Sequence, residues 1–381
     1  MTSASSVRSR EVFLFSYLWD IVDEGPDYFA RRLVEDLGVT GVALAVAYHD
    51  GRFLLPHHSR RRMYVLEPHV TYFPCDLSLY DGTPLKPTLW SELGNGAGNA
   101  FTQTKAALDR AGLELLGWTV YCYNERMGTA YPEYAVENAW GSRYTFGLCP
   151  AQEAVRIYAR ALTEDVCRTT GARSLWLESL DYRDFDYCGA EAITKITADL
   201  DPVQRLLASL CFCPACLSVA ALTGVDGEGV RVSARETFDQ ILQAPKPSAA
   251  PLAERLAEWP SVAAYVEARD AQVEVLHQEV AAIADRHGAR CFPDVTTILS
   301  RDLQSAEAVR SQAKVVRAAH PDRLPCAMLR PDSTGGRTPG YWSEVARRYV
   351  EADVPTFFIY NYGLVEAPIL DAIGAVLTGR T

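Results

Sequence analysis

The sequence lacks the motifs by which several large enzyme classes are recognised. It contains no Gly-x-x-x-x-Gly-Lys-Ser/Thr phosphate loop, no Gly-x-Ser-x-Gly nucleophile elbow and no His-Glu-x-x-His zinc motif. No Gly-x-Gly-x-x-Gly follows the first strand-like segment, where a dinucleotide-binding fold would carry it. These absences exclude the usual forms of P-loop enzymes, α/β-hydrolases, zinc proteases of this motif and nicotinamide-dependent oxidoreductases.

Long apolar runs and an excess of basic residues are also missing. No apolar stretch approaches the ~20 residues of a membrane span, and residues 1–10 lack the apolar region of a signal peptide. Lysine and arginine total 37 against 48 acidic residues, so the formal net charge is −11. An acidic chain repels the nucleic-acid backbone. The sequence therefore predicts a cytoplasmic protein without nucleic-acid or membrane partners, and a homo-oligomer stays open.

The composition is that of a globular protein. Hydrophobic residues make up 48% and charged residues 22% of the 381 positions. A chain of this length buries a large core and needs no disulfide bonds to fold. Most of the ten cysteines are therefore expected to be reduced residues of the core.

Strand-like and helix-like segments alternate along the chain. Short apolar runs at 12–18 and 39–48 read as buried strands, and 26–37 between them has helical spacing and ends at Gly38. The same order recurs, which is typical of parallel sheets. The predicted strands cover 12–18, 39–48, 114–123, 174–177, 289–293, 324–329 and 356–359. An eighth strand is expected within 295–303 or 230–232.

This alternation fits a closed barrel and an open doubly wound sheet. The length of the chain and the absence of a dinucleotide motif favour an α/β fold of the (β/α)8 TIM type, irregular in places, with 1–381 as one domain. Two insertions are predicted. A β-hairpin at 53–87 follows strand 2 and turns at 67–69. A helical insertion at 184–260 follows strand 4 and contains a proline-rich linker at 244–251.

Polar and aromatic residues follow the predicted strands. In a barrel the loops after the strands converge at one end, and reactive residues lie there. The candidate substrate-binding residues at these positions are Trp19, Tyr48, His49, Tyr123, Asn124, Arg330, Tyr360, Asn361 and Tyr362. Tyrosine and tryptophan stack on apolar faces and donate one hydrogen bond, which suits sugars, nucleosides and aromatic acids. Packing inside the barrel is the alternative for Tyr123 and Tyr360.

Three carboxylates are the candidate catalytic residues. Glu125 and Glu178 each follow an apolar strand, so partial burial is expected to raise a carboxyl pKa and let one act as an acid. The other would stay ionised as base or nucleophile. Pairing with Arg126 or Arg330 is the structural alternative. Asp20 is the third candidate, to orient a water molecule or a sugar hydroxyl.

Three cysteines form the one metal-like pattern in the sequence. Cys211, Cys213 and Cys216 lie within six residues and contain a Cys-x-x-Cys, a spacing that structural zinc sites use. Cys188, Cys149 or a histidine would supply a fourth ligand. The alternative is a kinked helix over 202–222 with small buried thiols. No other cofactor is required by the sequence.

Several short motifs resemble those of glycoside-hydrolase-like (β/α)8 proteins. Asn124-Glu125 resembles the Asn-Glu that ends a strand in a large clan of retaining glycosidases, in which the glutamate is the acid/base. Four further stretches, at 17–20, 148–150, 177–180 and 211–216, resemble an uncharacterised group of bacterial barrel proteins. Asn124-Glu125 follows the third predicted strand instead of the fourth, and Arg330 takes the position of the clan's nucleophile.

Three functions follow from these observations. The first is a hydrolase of a glycosidic or N-glycosidic bond in a small soluble, sugar-containing substrate, with Glu125 as proton donor and Glu178 as base or nucleophile. The second is a lyase, isomerase or transferase on the same barrel, in which Arg330 binds an anionic small molecule. The third is a sugar-binding barrel without catalysis, in which both glutamates are neutralised by salt bridges.

Overall fold

The computed structural model describes residues 10–94, 98–186, 200–243, 252–293, 297–300, 303–319, 321, 325–331 and 338–380. The strands are β1 (Glu11–Ser16), β2 (Gly41–Tyr48), β3 (Arg52–Leu54), β4 (Met63–Val65), β5 (Val70–Thr71), β6 (Glu114–Val120), β7 (Ala135–Glu137), β8 (Arg143–Leu148), β9 (Ser174–Glu178), β10 (Arg290–Pro293), β11 (Thr297–Ser300), β12 (Cys326–Leu329) and β13 (Thr356–Ile359). The helices are α1 (Leu18–Glu24), α2 (Pro26–Glu35), α3 (Ser91–Gly94), α4 (Gly98–Arg110), α5 (Glu125–Ala130), α6 (Glu153–Asp165), α7 (Pro202–Ser209), α8 (Pro214–Leu222), α9 (Gly227–Leu242), α10 (Leu252–Ala257), α11 (Pro260–Arg286), α12 (Ala306–Ala319), α13 (Pro339–Glu351) and α14 (Ala367–Leu377).

A parallel sheet in barrel order forms the centre of the molecule. Its strand order is β10-β9-β6-β2-β1-β13-β12-β11, and each neighbouring pair is parallel. Successive parallel strands of the chain are thus neighbours, as in a TIM-type barrel. Within the described residues β10 and β11 are the two edges of the sheet, and closure between them stays a prediction. The eighth strand lies at β11, whereas 230–232 belongs to α9, so that alternative is wrong.

Aromatic side chains fill the concave side of the sheet. The Phe15 ring centroid lies 4.8 Å from that of Trp118, 5.3 Å from that of Trp176 and 5.8 Å from that of Phe358. Because side chains alternate along a strand, residues two positions further on point to this same side. The rings therefore make an apolar floor below the carboxyl ends of the strands.

The segment 53–87 pairs differently from the predicted hairpin. β3 pairs with β4 in an antiparallel ladder, so the turn lies at 55–62 and not at 67–69. β5 pairs antiparallel with the end of β2 and extends the main sheet instead. Both faces of β5 are buried, and an apolar strand gains more from the central sheet than from an exposed hairpin. The predicted pairing of 63–66 with 70–73 is therefore wrong.

A helical segment follows β9, and it begins with a broken helix. The predicted helix over 202–222 is two helices, α7 and α8, that meet at an angle of 105°. Leu210 at the end of α7 has extended backbone, and Pro214 is the first residue of α8. Among the described helices no single one has the length and apolar composition of a membrane span, although the bent pair α7–α8 passes that test jointly. The linker 244–251 lies outside the described residues.

Gly128 sets the close approach of α5 to β8. A Cβ atom at this position would lie 1.9 Å from the carbonyl oxygen of Thr145, which is backbone and cannot move aside alone. We expect Gly128→Ala to lower the free energy of unfolding by about 3 kcal/mol, because overpacking displaces the strand. Urea unfolding measures this. Gly340→Ala is the control, since its Cβ would meet nothing closer than Thr338 Oγ1 at 3.9 Å; equal stability of the two variants would contradict the account.

Candidate active site

The site lies where five parallel strands end. Glu178 is the last residue of β9 and Tyr48 the last of β2. Three further members come just after strands, each two positions beyond a residue of the concave side. Side chains alternate along a strand, so these three also point to the concave side, above the aromatic floor. They are Tyr17 after Phe15, Arg330 after Met328 and Tyr360 after Phe358. We call Glu178, Tyr17, Tyr48, Tyr360, Trp118, His49 and Arg330 the Glu178 cluster.

Glu178 is a largely buried carboxyl group. Its side chain is 21% exposed, the Trp118 indole N–H donates a hydrogen bond to Oε2 at 2.5 Å, and His49 Nε2 lies 4.0 Å from Oε1. Burial raises the pKa of Glu178 above its usual range, although the Trp118 hydrogen bond and the charges of Arg183 and Arg330 oppose the shift. The carboxyl group therefore retains a proton to a higher pH than a solvated glutamate does.

Three tyrosine hydroxyls meet beside Glu178. The Tyr17 hydroxyl lies 3.1 Å from that of Tyr48 and 3.4 Å from that of Tyr360, and the last two are 3.4 Å apart. Burial raises the pKa of Tyr17 and Tyr48 well above the usual value and that of Tyr360 to about 12. All three stay neutral and both donate and accept hydrogen bonds. The Arg330 guanidinium lies over the Tyr360 ring, 4.1 Å from its centroid.

His49 and Asp50 continue the site from the end of β2. The His49 ring stacks on Tyr48 at 4.0 Å between centroids, and burial lowers the pKa of His49 to about 4 despite the opposing hydrogen bond and charge of Asp50. The imidazole is thus neutral at physiological pH. The Asp50 carboxylate is buried, accepts a hydrogen bond from the Tyr123 hydroxyl at 3.2 Å, and lies 3.9 Å from His49 Nδ1 and 4.0 Å from His69 Nε2.

Asn124 and Glu125 begin α5 beside this group. The Asn124 side chain caps the helix by accepting a hydrogen bond from the Met127 N–H at 2.9 Å. The Glu125 backbone N–H donates to His69 Nε2 at 3.1 Å, which fixes the imidazole. The Glu125 residue itself is exposed, in contrast to Glu178. The two candidate glutamates therefore have different environments.

Asp20 lies in an enclosed network. Its side chain has no exposed surface and accepts hydrogen bonds from the Tyr17 N–H at 2.9 Å and the Ser16 hydroxyl at 3.0 Å. His58 Nε2 lies 2.8 Å from Asp20 Oδ1. Burial lowers the pKa of His58, but the hydrogen bond and charge of Asp20 outweigh this and raise it above its usual value. Asp20 thus holds the start of α1 against the segment after β3.

Trp19, Asn361 and Tyr362 are turned away from the Glu178 cluster. Trp19 stacks on the far face of Tyr17 at 4.3 Å and packs against Tyr72 and Trp90 of the outer core. The Tyr362 hydroxyl donates to Glu24 at 2.6 Å and accepts from Arg32 at 2.9 Å. Asn361 follows Tyr360 through a cis peptide bond and is fully buried, with its Oδ1 accepting from the Gly363 N–H.

The cysteine pattern acquires a fourth member in the structure. Cys149, directly after β8, joins Cys211, Cys213 and Cys216, and the four sulfur atoms lie within 4.8 Å of one another. Of the predicted fourth ligands, Cys188 lies outside the described residues.

Reasoning from the ends of the predicted strands does not identify three residues of the site or its surroundings: Trp118, Tyr17 and Arg183. Trp118 lies inside β6. The sequence feature that could have indicated it is the alternation of side chains along the strand, which places its ring on the concave side with the other aromatic rings. Tyr17 follows Phe13 and Phe15 at the same period of two. Arg183 comes five residues after Glu178, and only the folded chain brings its charge to bear on that carboxyl group.

The Trp118 hydrogen bond makes a measurable contribution to the pKa of Glu178. We expect Trp118→Phe to raise that pKa further, because the carboxylate loses a hydrogen bond that favours its charged form. Carbon-13 NMR titration of labelled glutamate carboxyl groups measures the shift, with Glu178→Gln to assign the resonance. Trp176→Phe, which alters the floor without touching the hydrogen bond, is the control. A pKa unchanged by Trp118→Phe would remove Trp118 from the electrostatics of the site.

Comparison with known proteins places the fold. No family model matches the sequence, and no curated protein matches it. The solved structures that it resembles include the catalytic domain of a β-amylase from Paenibacillus polymyxa, with a TM-score of 0.55 at 10% identity over 99% of this chain and 100% of that one. They also include the PgaB (BpsB) glycoside hydrolase domain from Bordetella bronchiseptica, with a TM-score of 0.52 at 13% identity over 97% of this chain and 99% of that one.

A β-galactosidase from the psychrophilic Marinomonas ef1 gives a TM-score of 0.53 at 12% identity, over 97% of this chain. The chain spans only 59% of that β-galactosidase chain. The chain has the TIM-like fold of these glycoside hydrolases. At sequence identities of 10–13%, these comparisons show a similar fold and do not show a shared activity.

Proposed function

We propose that the protein is a glycoside hydrolase-like enzyme that cleaves a glycosidic or N-glycosidic bond in a small, sugar-containing substrate. The observation that carries the proposal is the buried Glu178 carboxyl group at the end of the fourth parallel strand, above an aromatic floor. The carboxyl ends of barrel strands are where this fold places its chemistry. The glycoside hydrolases among the structural neighbours support the choice by analogy of fold.

Glu178 is the proton donor in this proposal. A general acid must hold its proton near neutral pH, and burial of Glu178 favours the protonated form. It gives that proton to the glycosidic oxygen as the bond to the anomeric carbon breaks. The sequence points to Glu125 for this role, but Glu125 is exposed at the first turn of α5. The contrast in burial favours Glu178 as donor and leaves Glu125 as an exposed residue of α5.

Asp50 is the second carboxylate. It is buried, and its Oδ1 accepts a hydrogen bond from the Tyr123 hydroxyl. The His49 ring lies between it and Glu178, at 3.9 Å from one and 4.0 Å from the other. The two carboxyl groups are therefore no more than roughly 10 Å apart, a bound that admits both the roughly 6.5–9.5 Å of an inverting hydrolase and the roughly 5–5.5 Å of a retaining one. Asp50 takes the proton from the attacking water.

The remaining members of the Glu178 cluster recognise the substrate. Tyr48 and Tyr360 offer neutral hydroxyls, and the neutral His49 ring offers Nε2 as an acceptor towards the side of Glu178. Sugar hydroxyls both donate and accept, so such a mixture suits them. Aromatic faces beside these groups suit the apolar faces of a sugar ring.

A second candidate is a lyase, isomerase or transferase that acts on an anionic small molecule. The observation in its favour is that two arginines, Arg183 and Arg330, act electrostatically on the site. A guanidinium group is well matched to a carboxylate or phosphate. Under this alternative Glu178 is the single acid or base of the reaction.

The two candidates are separated by a substrate panel with the purified full-length chain. Release of 4-nitrophenol from α- and β-linked glycosides of neutral, amino and uronic sugars supports hydrolysis, and NMR of the first product gives the stereochemistry, which we expect to be inverted. Thermal-shift assays with sugar phosphates and dicarboxylates run in parallel. Stabilisation by those anions, without hydrolysis of any glycoside, would overturn the proposal in favour of the second candidate.

A further inference from the structure

Four cysteine side chains outside the Glu178 cluster meet in the protein interior. Cys149 lies after β8, Cys211 and Cys213 lie in the break between α7 and α8, and Cys216 lies in the first turn of α8. All four are buried and none is in a disulfide bond. Chain segments more than sixty positions apart thus contribute thiols to one point of the structure.

The spacing of the sulfur atoms is that of a metal tetrahedron. Cys149 Sγ lies 3.5 Å from that of Cys216, 3.6 Å from that of Cys213 and 3.8 Å from that of Cys211. Zinc–sulfur bonds of about 2.3 Å in a regular tetrahedron place the sulfurs about 3.8 Å apart. A disulfide requires about 2.05 Å between sulfurs. The three separations from Cys149 are therefore too long for a disulfide and match those around a shared ion, and all four sulfur atoms lie within 4.8 Å of one another.

Hydrogen-bond donors surround the sulfur atoms. The Glu137 N–H donates to Cys211 Sγ at 3.4 Å, and the Gln152 side-chain amide donates to Cys213 Sγ at 3.5 Å. The Tyr182 hydroxyl lies 3.4 Å from Cys216 Sγ. Metal-bound thiolates carry negative charge and are held by such donors in their outer shell. Apolar packing alone gives no reason for donors to converge on sulfur.

The local backbone presents the thiols to one centre. Cys211 and Cys213 lie in the extended connection where the chain turns by 105° between α7 and α8. Pro214 starts α8 and Cys216 lies in its first turn, so the three thiols of Cys-x-Cys-x-x-Cys come together at one point. Cys149 approaches from the end of β8 and completes the set.

We infer that Cys149, Cys211, Cys213 and Cys216 bind one zinc ion as a closed tetrathiolate site. Four protein ligands leave no open position, so the ion is structural and not catalytic. Soft thiolates in a tetrahedron select zinc, or iron as a redox centre. The ion ties α7 and α8 to the end of β8, and through Tyr182 it fixes the segment that follows Glu178. This inference does not depend on the proposed function.

The test is the metal content of the full-length chain purified from zinc-containing medium without chelator. Inductively coupled plasma mass spectrometry should give one zinc per chain, and X-ray absorption should give four sulfur neighbours at about 2.3 Å. Cys149→Ser should lower the zinc content to roughly a tenth. Cys167→Ser, another buried free thiol, should keep it.

Measurements on the wild-type chain keep the inference testable if Cys149→Ser does not fold. A strong chelator should lower Tm, and cobalt should give the visible absorption of a tetrahedral cobalt–thiolate site. A metal-free wild-type chain with four titratable thiols at these positions would overturn the inference. A disulfide among them, or iron in place of zinc with the colour of an iron tetrathiolate, would overturn it as well.

Discussion

Glu178→Gln is expected to lower kcat on alkyl glycosides, whose leaving group needs a proton, by roughly 10²–10⁴-fold, the usual contribution of a general acid. Glutamine keeps the shape of the side chain and can accept the Trp118 hydrogen bond, but it has no acidic proton to give. Steady-state kinetics on the alkyl glycoside of the sugar that the wild-type enzyme prefers measures the loss. Glu125→Gln is the matched control, because the same chemical change falls on an exposed glutamate.

The same variant should not be less stable at neutral pH. Because the folded state raises the pKa of Glu178, this group stabilises the fold below its ordinary pKa. That contribution is lost as the pH rises through the raised value. At neutral pH the group is ionised in the unfolded chain and folding disfavours that charge, so the neutral glutamine should leave Tm unchanged or higher. A large loss of activity in Glu125→Gln with Glu178→Gln unaffected would return the donor role to Glu125.

Asp50→Asn is expected to lower kcat by about 10²-fold, because the attacking water loses its base. Asparagine keeps the hydrogen bond from the Tyr123 hydroxyl through its carbonyl oxygen, so the site should keep its shape. Added azide, which attacks without a base, should restore turnover and yield a glycosyl azide. The readout is product analysis by mass spectrometry alongside the rate.

Asp81→Asn is the control for this experiment. Asp81 is exposed, forms an ion pair with Lys86 and is not a residue of the site. Full activity of Asp50→Asn would exclude Asp50 as the base. A loss that azide does not rescue, together with a lowered Tm, would assign Asp50 to holding Tyr123 and His69 in place.

The carboxyl edge of the sheet was the most predictable part of the site. Apolar runs ending in a polar or aromatic residue indicate buried parallel strands, and this reasoning finds Glu178, Tyr48 and Tyr360. The same reasoning cannot predict whether a residue beyond the end of a strand points into the site or away from it. Tyr362, two positions after Tyr360, lies against Glu24 and Arg32 instead.

Contacts between distant segments were not predictable. Asp20 follows a strand, yet its partner is His58, which a separate hairpin brings within 2.8 Å. Nothing in the sequence around Trp118 predicts that its indole N–H donates a hydrogen bond to Glu178. The fourth cysteine likewise could not be chosen from spacing, because Cys149 and Cys211 meet only when the helical segment packs on β8.

The sequence predicts the parallel strands of the sheet better than the segments that connect them. Strong apolar runs determine the parallel strands, but β3 and β5 are too short to compete by pattern alone, so the pairing of 53–87 follows from tertiary burial. The break at Leu210 and Pro214 was read as a kink within one helix, although proline at the first position starts a new helix.

The most direct test of the account is the dependence of Glu178→Gln on the leaving group. A 2,4-dinitrophenyl group departs without protonation, whereas an alkyl group requires an acid. We predict that Glu178→Gln keeps its activity on the dinitrophenyl glycoside to within about tenfold of wild type, and loses at least roughly 10²-fold on the alkyl glycoside of the same sugar. Equal losses on both substrates would contradict the assignment of Glu178 as the proton donor.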